Sequence, residues 1–135
     1  MDRDSGNQGT DCPPTLTSGL ASSPRKWQMF IKRNYLDLIA SGRKTLEVRL
    51  GNLPGIRNYR PGDLISIGPS SPPVLVKIRA IRTYSSFEEM ASHEDVQRIV
   101  PGLSQASVLA ALRNIWPDDK VRRFGVFVLD IRLET

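Results

Sequence analysis

The stretch SGRKTLEVRL, Ser41–Leu50, decides the fold. Gly42 stands where a helix ends, and from Thr45 onward Leu46, Val48 and Leu50 alternate with Thr45, Glu47 and Arg49. Successive strand side chains point to opposite sides, so the pattern predicts a strand with one apolar face on a core and one charged face opposite. Lys44 stands at the entrance to that charged face.

The neighbouring segments take their readings from this strand. Upstream, NYLDLIASG from Asn34 places Tyr35, Leu38 and Ile39 at helical spacing, with Gly42 just past the C-terminus. Before it, WQMFIK from Trp27 reads as a short strand. Downstream, the Gly and Pro residues of GNLPGIRNYRPGD forbid a regular element, and LISIG and VLVKIRAIR read as two more strands. The second of these places Lys77 and Arg79 on one face and Val76, Ile78 and Ala80 on the other. Ser86 and Glu89 in SFEEM have capping-box spacing, which predicts a short helix ending before VPG at Val100–Gly102. Ser104 caps a longer helix whose stripe of Val108, Leu109, Leu112, Ile115 and Trp116 reads as core and stops at Pro117. The closing FGVFVLDIRL is a strand with Phe127, Leu129, Ile131 and Leu133 on one side; Phe124 and Val126 are also apolar, so both faces are expected to be covered. Five strands with three short helices predict an α+β domain built on a small β-barrel.

At 135 residues the chain holds one core. Residues 1–25 contain no aromatic residue and no sustained apolar period, and are expected to be a disordered leader to a domain spanning 26–135. No apolar run approaches the roughly 20 residues of a spanning helix, so no membrane association is expected. Acidic residues scattered through a start that has no apolar stretch match neither a secretory signal nor an organelle presequence, and predict a cytoplasmic or nuclear protein. Cys12 and His93 are the only residues of their types, which leaves no Cys/His zinc site; neither a metal nor a cofactor is expected. The net charge of +5 is unevenly spread: residues 27–82 hold ten basic groups against three acidic, and residues 83–135 hold six against eight. Such asymmetry is the footprint of a polyanionic partner.

GRKTLEVR, Gly42–Arg49, fits Gly-x-Lys-x-x-Glu-x-Arg and resembles the signature of the ASCH domain, a branch of the PUA-like β-barrel superfamily associated with RNA. The preceding helix, RPGD leading into a strand, SFEEM before a VPG turn, and the closing strand are also similar to the small stand-alone ASCH proteins, over roughly residues 27–135. The resemblance implies a small PUA-like β-barrel with short flanking helices, its motif residues lining a cleft. A charged strand face on a cleft binds an anion, whereas the same charges on an open surface are only solvated.

The function this implies is binding of single-stranded or structured RNA by a monomer, at a basic cleft. Lys44 and Arg49 supply a mobile point charge and a planar donor fork, with Arg43 adding charge nearby. Glu47 either balances Arg49 in a structural ion pair or accepts a hydrogen bond from a base. If the motif holds a ligand, Lys44→Ala and Arg49→Ala should each weaken binding by about 1–3 kcal/mol with little effect on folding. Tyr59, between Arg57 and Arg60, either stacks a base or plugs the barrel end. Lys77, Arg79 and Arg82 extend the cationic surface or are merely solvated.

The resemblance also implies a second reading, a small metal-independent hydrolase acting on RNA or on a modified nucleoside. In ribonuclease chemistry Lys44 would be a general base or stabilise the phosphorane, with Arg49 neutralising phosphate charge and Glu47 beside them. Related enzymes that deacylate modified cytidine carry a nucleophilic threonine where this chain has Glu47. They also use a later glutamate that IVPGLSQASVL does not match, although Glu88, Glu89 and Glu94 lie nearby. A third reading is a protein-interaction domain of transcription-coactivator type, its basic face meeting an acidic protein partner.

Overall fold

The computed structural model describes residues 23–134, and the expected leader lies outside them except for its last three residues. Arg25, placed in the leader, already belongs to the fold, since its backbone N–H donates to Asp63. The first strand, β1 (Lys26–Phe30), leads into helix α1 (Arg33–Ala40). Gly42 follows at φ 80°, a left-handed conformation that costs glycine nothing. Strand β2 (Leu46–Leu50) comes next, then a 3₁₀ turn (Ile56–Asn58) and strands β3 (Leu64–Gly68) and β4 (Val74–Tyr84). Helix α2 (Phe87–His93) and a 3₁₀ turn (Val96–Arg98) precede helices α3 (Gln105–Ile115) and α4 (Asp118–Phe124), and β5 (Val126–Leu133) closes the fold.

The five strands form one sheet in the order β1-β3-β4-β5-β2, antiparallel except for the β1/β3 pair. It curls into a half-barrel. The curl brings the outer strands β1 and β2 close enough for the Arg49 guanidinium to donate across the seam to the Phe30 carbonyl at 2.9 Å. Inside lie Ile65, Ile67, Val76, Ile78, Leu129 and Ile131, with Leu36 and Ile39 of α1. Outside, Leu46, Val48, Val126 and Val128 are covered by Phe87, Met90, Val108 and Leu112 of the helices. Strand β5 is therefore apolar on both faces, as its unbroken run requires.

The caps at Ser86 and Ser104 are as expected: their side chains accept from Glu89 N–H and Ser107 N–H. Three expectations need correction. Helix α3 does end before Pro117, but the proline also opens a further helix that was not expected. This helix, α4, has acids in its first turn and arginines in its last, complementing the helix dipole, so β5 begins at Val126 rather than Phe124. Ile115, expected in the core, is 54% exposed at the C-terminal end of α3. Arg82 does not extend a cationic surface. The register shifts by one residue between Ile78 and Ala80, making Arg79 an exposed bulge. Beyond it Ile81 takes the inward face and Arg82 the outward one, where it binds Glu94 at 2.6 and 2.9 Å and Asp130 at 3.1 Å.

Candidate functional site

The motif strand is the free edge of the sheet on one side, and a cleft of about 470 Å³ lies along it. One wall is the end of β1 and the start of α1, with Phe30, Lys32 and Tyr35; the other is the C-terminal part of α3, with Asn114, Ile115 and Trp116. Lys44, Glu47 and Arg49 form the floor. Phe30 is 66% exposed, and with Ile115 it makes an apolar rim.

The three floor residues are joined. Lys44 Nζ lies 3.2 Å from Glu47 Oε1, and Arg49 Nε donates to Glu47 Oε2 at 2.7 Å. Lys44 also donates to the carbonyls of Leu46 at 2.7 Å and Ile99 at 2.9 Å. Two of its three N–H groups are thus hydrogen-bonded, and the charge is balanced by Glu47. Lys44 is also buried, at 5% exposure, which corrects the expectation that it lies off the core and that Lys44→Ala alters folding little. Arg49 is different. It has five donors and uses Nε and one Nη2 hydrogen, toward Glu47 and Phe30, leaving donor capacity with no acceptor among the described residues. Each Glu47 oxygen takes one cation and retains a lone pair.

The ion pair expected between Glu47 and Arg49 is therefore present and also borders the cleft. Thr45, expected to share that face, instead accepts from Arg98 Nε at 2.7 Å; it precedes the first strand residue, so the alternation does not bind it. Arg98 also holds Asp130 at 2.8 Å, linking the segment that carries Ile99 to β5.

The other expected site residues lie elsewhere. Tyr59 is 7% exposed and packs on Trp27, ring centroids 4.7 Å apart, so it plugs the barrel end and cannot stack a base. Burial raises its phenol pKa, with the Arg49 charge acting in the opposite sense. Arg57 donates to the Phe124 carbonyl, the Arg60 N–H donates to Asp63, and Lys77 faces Glu134 at 3.7 Å. None of these lines the cleft, and neither do Arg43 and Arg79, both exposed. The cleft is accordingly less basic than the charge count implies, since Glu47 lies between buried Lys44 and half-buried Arg49, with Lys32 the further cation on its wall.

Phe30, Tyr35 and Trp116 were not read as site residues. Phe30 carried a signal: with Met29 pointing inward, strand alternation turns Phe30 outward, and an outward phenylalanine at a strand end is worth noticing. Trp116 serves both readings, packing on Phe87 at 6.2 Å and lining the cleft. Among the described residues no group of three His, Cys, Asp or Glu side chains is placed to hold a metal, and no helix is long and apolar enough to cross a membrane.

A family model described as the ASCH domain matches residues 29–131. The crystal structure of the hypothetical protein PH0355 is 31% identical, with a TM-score of 0.73 over 81% of this chain and 99% of that one. The solution NMR structure of a Pyrococcus furiosus protein is 30% identical, with a TM-score of 0.66 over 80% and 96%. A mutant of ZmASCH from Zymomonas mobilis, 17% identical, has the same fold at a TM-score of 0.53 over 84% and 70%. The comparison with curated proteins finds no match. The α+β fold, a curled half-barrel with flanking helices, is the PUA-like architecture expected from the motif.

Proposed function

The chain belongs to the ASCH domain family, and from that premise we propose that it binds single-stranded RNA, holding one unpaired nucleotide in the cleft beside β2. One observation carries the reading: a slot with aromatic and apolar walls stands over a floor that offers both donors and an acceptor. Nucleobases have flat apolar faces and polar edges, and aromatic side chains recognise the faces while guanidinium and carboxylate groups recognise the edges. In this reading Phe30 stacks, Arg49 donates to a base carbonyl or phosphate, and Glu47 accepts from an exocyclic amine. Lys44 supports the other two. Its ammonium is tied to the Leu46 and Ile99 carbonyls and paired with Glu47, which suits it to positioning the floor of the cleft.

Phe30→Ala tests this directly. The side chain is mostly exposed, so folding stability should change by less than about 0.5 kcal/mol, while RNA affinity should fall by about 1–3 kcal/mol through loss of stacking. Titration of a short RNA with both proteins, beside melting curves, provides the measurement; unchanged affinity would remove the cleft from consideration.

Salt provides a second check. With three to five phosphates neutralised, the logarithmic slope of affinity against salt should be roughly −2 to −4, at about −0.7 per phosphate on a single strand. A flat response would instead favour an uncharged ligand or a protein partner.

A further inference from the structure

Two residues beyond Arg49 the chain leaves β2 at Gly51, and a second hollow of about 480 Å³ opens there, lined by Arg57, Tyr84, Phe124 and Phe127 among others. The two hollows share no lining residue, but paired residues of β2 and β5 connect them. Arg49 is paired directly with Phe127 across β2 and β5, and the Arg57 guanidinium lies over the Phe127 ring, 5.4 Å from its centroid. Directly opposed strand residues have Cβ atoms about 4.5–5.5 Å apart, so Arg49 and Arg57 lie on either side of the Phe127 ring, which is 9% exposed and borders the second hollow.

Arg57 is held in place by its bond to the Phe124 carbonyl at 3.1 Å, at the C-terminal end of α4. Gly51 makes room for that bond: a Cβ there would meet the same carbonyl and stand 2.5 Å from the guanidinium. The last turn of α4 adds Arg122 and Arg123, both exposed, with Arg123 over the Phe124 ring at 5.1 Å. Neither has an ion-pair partner among the described residues. The acid of the hollow, Glu89, is turned to the N–H and hydroxyl of Ser85. Helix C-termini repel anions, but here Arg57 occupies a terminal carbonyl and Arg122 and Arg123 place positive charge at the last turn, with Asp118 and Asp119 at the opposite end of the helix.

We propose that this hollow and the last turn of α4 hold the phosphodiester backbone of the RNA strand as it leaves the cleft, so that the strand runs from Arg49 past Phe127 to Arg57, Arg122 and Arg123. The inference rests on the cleft reading, because it takes the cleft as the strand's starting point. A single nucleotide reaches only the cleft, whereas a longer strand reaches both.

The test uses the full chain, with and without the paired change Arg122→Gln and Arg123→Gln, titrated with an eight-nucleotide mixed-sequence RNA and with nucleoside monophosphates. The paired variant should bind the eight-mer about tenfold more weakly at low salt, with a salt slope shallower by about 1.4, two phosphates' worth. Its affinity for monophosphates should stay within about twofold of the parent. An unchanged eight-mer slope and affinity would overturn the proposal and leave the cleft reading standing. Loss of monophosphate binding as well would overturn it too, because the arginines would then act on the cleft rather than on the strand. If Phe30→Ala spares the eight-mer while the paired variant loses it, the cleft reading fails and the path that starts from it fails with it.

Discussion

Lys44→Ala is expected to lower the free energy of unfolding by about 3 kcal/mol. Burying an ammonium is tolerable only because it bonds the carbonyls of Leu46 and Ile99 and pairs with the Glu47 carboxylate. Alanine removes both hydrogen bonds and the ion pair at once. It leaves two carbonyls without their partner and a carboxylate at 7% exposure with Arg49 alone. Lys44→Met combined with Glu47→Leu and Arg49→Met should recover part of the loss, since an ionic triad replaced whole by apolar groups costs less than one broken by removal of a single member. Urea unfolding of the single and triple variants measures the difference, and a loss below about 1 kcal/mol for Lys44→Ala would show that the site relaxes or admits water. Any RNA titration of Lys44 variants therefore needs a melting curve beside it.

Asp63→Ala is expected to cost a similar amount, about 3 kcal/mol, for a reason remote from the cleft. The Asp63 carboxylate accepts from the backbone N–H groups of Arg25 and Arg60 and from the Trp27 indole, tying the start of β1 to the turn before β3. Alanine leaves these donors unpaired and frees Trp27, which packs on Tyr59 at the barrel end. The same residue shapes the response to acid. Burial opposes its ionisation, but the Trp27 bond, the two backbone bonds and the Arg25 charge together hold its pKa below the ordinary value. Glu94 is also held low, burial again opposed by Arg82 and by the Tyr84 hydroxyl. A carboxylate with a depressed folded pKa contributes stability above the unfolded pKa of about 4 and loses it as pH falls through the lower folded value, because the unfolded chain takes up protons first. Stability should thus be steady above about pH 5 and decline below about pH 4, and Asp63→Ala should flatten part of that decline. An identical acid limb in the two proteins would mean that Asp63 is not held low.

The kinds of elements were legible because they depend on neighbours in the chain. Period-two alternation in LEVRL, the caps at Ser86 and Ser104, and the left-handed glycine after α1 are local matters, and each has its expected form. Helix α4 was legible too, from a proline followed by two acids and then two arginines, and it was obscured by reading Pro117 only as a stop.

The sequence by itself determined that a charged strand face opposes an apolar one, and that the first half of the folded region is cationic. Which charges remain open to a ligand was decided only by tertiary structure. The curl of the sheet sets Arg49 beside Phe30, nineteen residues earlier in the chain, and packing carries the Ile99 carbonyl to Lys44 across fifty-five residues. One bulged residue at Arg79 sends Arg82 to the face where Glu94 and Asp130 neutralise it. Ion pairing depends on distances across space, while alternation and capping specify only the path of a few residues, so the pattern that names a strand's faces cannot say what those faces meet.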